Sequence, residues 1–263
     1  MDLNLNNKKA FVSGSTQGIG FAIARQLLAE KAAVTINGRN SEKTEQARKK
    51  LQAEFPDAKV SALAADFSKN EDVQRLLSEM EDYDILVNNV GVFEIKDFQD
   101  ITDKDWHALF EVNVMSGVRL SKKLLPAMLK KNWGRIIFIS SESGVNIPEN
   151  MIHYGMTKAA MSAVSNGLSK LTKGTEVTVN TILGGPTYSD GVANVVNHIA
   201  QAQNLNPDAV KQGIIQQTNP HILLQRFINP EEVANLATFI ASPLSIATNG
   251  ASLRADSGVL KVL

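Results

Sequence analysis

The chain contains no cysteine, which excludes disulfides and thiolate metal sites. It carries no surplus charge: 27 Lys and Arg against 27 Asp and Glu leave a formal net charge of +0, so nothing in the balance points to nucleic acid or an anionic membrane. No apolar run reaches the roughly 18 residues that a membrane span needs. The polar, Asn-rich opening MDLNLNNKKAFVSG runs straight into a strand pattern, without the apolar core of a secretory signal. His107, His153, His198 and His221 show no metal-ligand spacing, so no metal site is expected. Low-complexity tracts, internal repeats and Pro/Gly/Ser-rich linkers are missing too. What remains is 263 residues with a 43% hydrophobic fraction, enough for one large α/β domain with an expected cytoplasmic location.

Strand and helix patterns alternate along the chain. Lys9–Val12 reads as a strand, followed by the turn Ser13-Gly14-Ser15-Thr16-Gln17-Gly18-Ile19-Gly20 and the helix FAIARQLLAEKA. A glycine-rich turn between strand and helix lets the backbone approach a diphosphate, and the exposed N–H groups at the helix start attract the anion. Gly14, Ser15, Gln17, Gly18, Ile19 and Gly20 are therefore candidate cofactor contacts. The second strand, AAVTINGRN, ends at Asn37, Gly38 and Arg39. An acidic residue there would accept from the ribose 2′-hydroxyl of NAD, whereas an arginine suits a 2′-phosphate. Arg39 thus points to NADP(H), with Ser15, Asn37 and Asn40 as further hydrogen-bonding candidates; a solvated loop arginine is the alternative. Asp66 and Phe67 follow the third strand, KVSALAAD, and either border an adenine or simply make a turn. Ser68 to Glu71 reads as a capping box opening the next helix. Tyr83–Val87 forms the fourth strand, after which Asn88, Asn89 and Gly91 support the cofactor floor, with Asn89 and Gly91 as candidate contacts.

The chemical centre is expected between Ile136 and Lys158. Ile136–Ile139 is a continuous apolar run that suits a parallel strand covered on both faces, and Ser140 and Ser141 stand where it stops. From His153 the pattern is helical, which stacks Tyr154 and Lys158 one turn apart. A phenol exchanges its proton poorly near neutrality unless a neighbouring positive charge favours the phenolate, and Lys158 offers that charge. Ser141 would hydrogen-bond a substrate carbonyl oxygen while Tyr154 gives or takes the proton. Taken alone, Tyr-x-x-x-Lys also fits an ordinary amphipathic helix. Asn113 interrupts the apolar stripe of a long helical stretch from Thr102 to Lys131, either bending it or serving as a satisfied core amide. The helix after Lys158 runs to about Lys173, and its small residues suit helix packing at a subunit contact. EVTVNTIL is a sixth strand, followed by Gly185, Pro186 and Thr187; Thr187 either meets a carboxamide or phosphate or only shapes the loop. Residues 188–226 hold two helical patterns and form a candidate lid over the cleft. Asn229-Pro230-Glu231-Glu232 starts a last helix, and a seventh strand near Ala251–Ala255 precedes an apolar tail, VLKVL.

From Gly14 onward these motifs together resemble the short-chain dehydrogenase/reductase family, in the length and motif order of 3-oxoacyl-carrier-protein reductases. SGSTQGIG matches its glycine motif, NNVG stands where NNAG is usual, and Ser141, Tyr154 and Lys158 match its serine, tyrosine and lysine. Asn113 falls at its fourth catalytic position. The resemblance implies a single Rossmann-type α/β domain with a seven-stranded parallel sheet between helices, no metal, and a homo-oligomer, tetramer or dimer. It also implies that Lys158 holds the nicotinamide ribose and that Asn113 supports a water-linked proton relay. Gly184 replaces a common proline, which would loosen the loop under the nicotinamide. Asp256-Ser257-Gly258 replaces Asp-Gly-Gly near the tetramer contact, and Ser13 replaces a threonine.

The expected activity is NADPH-dependent reduction of a ketone or aldehyde, with 3-oxoacyl thioesters among the candidate substrates. An oxidative sugar or steroid alcohol dehydrogenase is the second enzyme reading, and a non-catalytic NADP(H) sensor the reading from another class. The lysine pairs Lys122-Lys123 and Lys130-Lys131 read as solvated helix faces rather than a docking site for an acidic carrier.

Overall fold

The computed structural model describes residues 2–261; Val262 and Leu263 of the expected apolar tail lie outside the described residues. Seven strands, β1 (Lys9–Val12), β2 (Ala33–Gly38), β3 (Val60–Ala64), β4 (Ile85–Asn88), β5 (Trp133–Ser141), β6 (Glu176–Gly184) and β7 (Ser252–Ala255), form one sheet in the order β3-β2-β1-β4-β5-β6-β7. Every pairing is parallel. A parallel sheet needs crossovers that cover both of its faces, which is why its strands read as unbroken apolar runs.

Alternation along β5 shows how the two faces are filled. Ile137 and Ile139 point into a core shared with α1 (Gly18–Ala29), α2 (Ser41–Glu54) and α9 (Pro230–Ala241). Ile136 and Phe138 point the other way, into a core with α3 (Asn70–Glu79), α5 (Ser116–Lys130) and α6 (Ile152–Lys170). Both cores are sealed, so β5 is the buried spine on which the catalytic segment hangs.

Several local expectations change. Ser68 does not cap a helix: its hydroxyl donates to Asp66 Oδ1 at 2.7 Å, and α3 begins only at Asn70. The stretch from Thr102 is two helices, α4 (Asp103–Phe110) and α5, joined by a π-helical turn at Glu111–Met115 that contains Asn113. Such one-residue excesses occur often at functional sites. Thr102 does cap α4, sharing a reciprocal box with Asp105. α6 stops at Lys170 rather than Lys173, and Tyr83 lies just before β4, its hydroxyl 3.1 Å from Thr35 Oγ1. Gly184 is the last residue of β6, paired with Ser141 on one side and Ala255 on the other. That pairing fixes the position that the missing proline was expected to loosen.

Because both faces of β5 are packed, small losses there should be felt. Ile137→Val is expected to lower the unfolding free energy by about 1 kcal/mol and Phe138→Ala by about 3–5 kcal/mol, read as shifts of the urea midpoint at unchanged slope.

Candidate active site

β1 and β4 are neighbours in the sheet, yet the chain leaves β1 toward β2 and leaves β4 toward β5. The crossovers therefore part above the carboxyl ends of these strands and open a crevice, the usual ligand position in such a sheet. The glycine-rich turn lines it. Ser13 anchors the turn to β4: its N–H donates to Val87 O at 3.0 Å, and its hydroxyl accepts from the N–H groups of Asn89 (2.9 Å) and Val90 (3.2 Å). Asn89 Nδ2 donates to Ser13 O and Gly14 O at 3.0 and 2.8 Å, the strand-to-strand tie expected of it. Gly18 begins α1 at φ +59, left-handed backbone that a side chain would strain.

The far end of the crevice differs from the sequence reading. Ser15 is fully buried, donating to Val12 O (2.6 Å) and accepting from Asn37 N (3.0 Å). Asn37 is just as enclosed; its Oδ1 accepts from Gly14 N and its Nδ2 donates to Leu63 O. Both side chains brace the turn from beneath rather than offering polar atoms to a ligand. Asn40 caps α2, accepting from Lys43 N at 2.9 Å. Phe67 is packed into the core beside α3, and Asp66 accepts from the backbone and hydroxyl of Ser68, the turn reading of that residue. Arg39 remains exposed, and among the described residues its guanidinium has no hydrogen bond or ion pair.

At the other end, Ser141, Tyr154, Lys158 and Asn113 converge. Ser141 closes β5, and its Oγ accepts from Ser143 N at 3.1 Å. Lys158 is buried, its Nζ donating to Ile139 O at 3.0 Å and lying 5.6 Å from the centroid of the Tyr154 ring. A Cβ on Gly91 would stand 3.3 Å from that Nζ, so Gly91 forms the floor beside it. Asn113 is a satisfied amide: Oδ1 accepts from Val92 N (2.8 Å), and Nδ2 donates to Val92 O (2.9 Å) and Thr157 Oγ1 (2.9 Å). It joins the π-helical turn to both the loop after β4 and α6.

Electrostatics here run against the expected acidification. Burial pushes the Tyr154 phenol up to about 12; the neighbouring Ser141 hydroxyl pulls it down, and the charge of Glu142 raises it further. Burial brings Lys158 down to about 8. Enclosure disfavours the charged form of both groups and is the largest cause of each shift. Glu142, next to Ser141, is also held above the usual carboxylate range by burial.

Segment 188–226 follows β6. Ile228 N donates to Pro186 O and Tyr188 N to Ile228 O, both at 2.8 Å, so the two ends of segment 188–226 are clipped together at its base. Between them lie α7 (Asp190–Gln203) and α8 (Pro207–Thr218). Thr187 Oγ1 donates to Gly185 O at 2.9 Å, and a Cβ on Gly185 would stand 2.7 Å from Asp256 O. Ser257, at φ +56, accepts from Leu223 N and Leu224 N and ties the end of the lid to the segment after β7. Asp190, which no sequence motif marks, accepts from Gly18 N at 2.7 Å. A carboxylate seated on the first N–H of α1 shows that this helix start takes an anion.

The depressed value of Lys158 gives a pH signature. Between about 8 and 10.5 the unfolded chain holds the lysine proton and the folded chain does not, so stability rises with pH across that window. The melting temperature of the protein relative to a Lys158→Met variant should therefore climb from pH 8 to pH 10. A difference that is flat, or that falls with pH, would contradict an enclosed neutral amine.

The family model described as short chain dehydrogenase matches residues 8–200. An uncharacterized oxidoreductase of Bacillus subtilis (strain 168) is 43% identical over 261 residues, covering 99% of each chain. A 3-oxoacyl-[acyl-carrier-protein] reductase of Aquifex aeolicus (strain VF5) is 28% identical over 263 residues, 98% of this chain and 100% of the relative. Among solved structures, L-sorbose reductase from Gluconobacter frateurii, complexed with NADPH and L-sorbose, superposes with a TM-score of 0.93 at 28% identity, over 100% of both chains. With the glycine-rich turn at the sheet crevice and Ser141, Tyr154 and Lys158 gathered at the end of β5, this chain belongs to the short-chain dehydrogenase family.

Proposed function

We propose that the protein is an NADP(H)-dependent oxidoreductase that reduces a ketone or aldehyde carbonyl to the alcohol. The observation that carries this reading is geometric: the Tyr154 ring lies 5.6 Å from Lys158 Nζ, beside Ser141 at the carboxyl end of β5. A phenol placed beside a second hydroxyl and a lysine head can deliver a proton to an oxygen that develops negative charge during reduction. Ser141 would hold the carbonyl oxygen while Tyr154 delivers the proton. Lys158, suspended from Ile139 O and facing the Tyr154 ring, keeps a donor-rich head at the same spot, and Asn113 fixes the Val92 floor and, through Thr157, the helix that carries Tyr154.

The residues fit an NADP(H) cofactor. The start of α1 accepts an anion, as Asp190 shows, and suits a diphosphate. Arg39, exposed and without a hydrogen bond or ion pair among the described residues, suits a 2′-phosphate. Lys158 and Gly91 flank the floor where a ribose would rest. When bound, the cofactor supplies the hydride; the chain supplies orientation, exclusion of water and the proton.

Full-length similarity to L-sorbose reductase favours a keto sugar or related polyol as substrate. A carrier-bound thioester has less support. Lys131 pairs with Asp84 beside the start of β4, so the Lys130-Lys131 end of α5 lies at the opposite edge of the sheet from the crevice, away from where a carrier would dock.

Tyr154→Phe is expected to keep NADPH affinity and to lower turnover by about 10²–10⁴-fold, read by NADPH oxidation with L-sorbose, diketones and 3-oxoacyl thioesters; near-wild-type rates would refute the role. Arg39→Ala should weaken NADPH binding by about 10- to 100-fold, the loss of a charge-assisted contact, and leave NADH binding little changed in a fluorescence titration. Equal losses for both cofactors would remove the 2′-phosphate assignment.

A further inference from the structure

His153 precedes Tyr154 in the first turn of α6, and its ring is fully buried. Neither ring nitrogen has a hydrogen-bond partner, while the Trp106 ring meets it edge-on at 6.0 Å. Enclosing two unpaired polar atoms is unfavourable, and a phenyl ring would fill the same space without that cost. Glu94, half-exposed on the loop after β4, places its Oε2 3.6 Å from Nε2. This is ion-pair range and a few tenths of an ångström beyond a hydrogen bond.

The loop itself explains what such a contact would do. At one end Val92 is held by the Asn113 amide; at the other Lys96 N donates to Asn150 O (2.9 Å) and Lys96 Nζ pairs with Asp105 (2.7 Å). Between these ties, Phe93, Glu94 and Ile95 make no backbone hydrogen bond among the described residues. Yet Phe93 is the residue whose ring stands edge-on to Tyr154, at 6.2 Å, an apolar wall beside the phenol. Its placement rests on that ring contact and on Glu94.

We propose that His153 is a positioning residue: through Nε2 it holds Glu94, and thereby sets the Phe93 wall against Tyr154. The proposal rests on Tyr154 being the proton donor for its purpose, but its geometry does not require turnover. His153 touches no reacting atom. It acts by fixing the span between two anchored points, so the phenol and the apolar wall beside it keep one relative position.

Hydrogen exchange of the Val92 and Lys96 amides, the two hydrogen-bonded N–H groups flanking the span, tests this without any substrate. His153→Phe should speed exchange at both by on the order of tenfold, with a melting temperature equal to or above that of the wild type. His153→Gln, whose amide nitrogen can stand where Nε2 stands, should restore slow exchange. Glu94→Ala, an exposed change that leaves the core intact, should match His153→Phe, and the double variant should be no faster than either single one. Unchanged protection in Glu94→Ala, or a Gln variant as unprotected as the Phe variant, would reduce His153 to a core filler. Because exchange is read without turnover, failure here is separable from failure of Tyr154→Phe to lose activity.

Discussion

Enclosing an amine and a phenol side by side at the carboxyl end of β5 is the constraint that the rest of the structure serves. Charge is expensive in such a place, and both groups move toward their neutral forms: Lys158 falls to about 8 and Tyr154 rises to about 12. The enclosure depends on packing, with β5 sealed on both faces and the π-helical turn pressed onto α6 through Asn113 and Thr157. Electrostatics at this site follow from burial, and burial follows from the doubly covered sheet.

Short polar side chains do most of the joining around the crevice. Ser13, Ser15, Asn37, Asn89 and Asn113 each satisfy backbone groups of a neighbouring segment. Irregular backbone at strand ends leaves N–H and C=O groups without ladder partners, and small amides and hydroxyls can pair them without needing room. Their work is to hold the turn and the floor at fixed separation, while Arg39 stays exposed at the end of β2.

Segment 188–226 makes a second use of the same helix start. Its ends are clipped to each other at Ile228, and its first helical residue, Asp190, reaches across to Gly18. It is tied again near its far end, where Leu223 N and Leu224 N donate to Ser257. α7 and α8 bury a small cluster of their own around Val196, Ala200 and Val210, while Ile215 of α8 packs with Ile222 and Val259.

Much of this was legible from residues in order. Alternating apolar runs and amphipathic stretches marked the seven strands, and the glycine turn and the Tyr154–Lys158 step could be placed because strand and helix periods fix neighbours a few residues apart. Local pattern erred where a side chain had two local choices, as with Ser68, which bonds Asp66 instead of capping α3, and where an insertion changed the helix type at Asn113. Sequence alone determined which chemical groups are present and the order in which the chain delivers them. Only the tertiary structure decided that Ser15 and Asn37 face inward, that Asp190 meets Gly18 across 172 positions, and that Tyr154 is less acidic, not more. Those outcomes depend on distance and enclosure among segments remote in the chain, and neither quantity is written in local spacing.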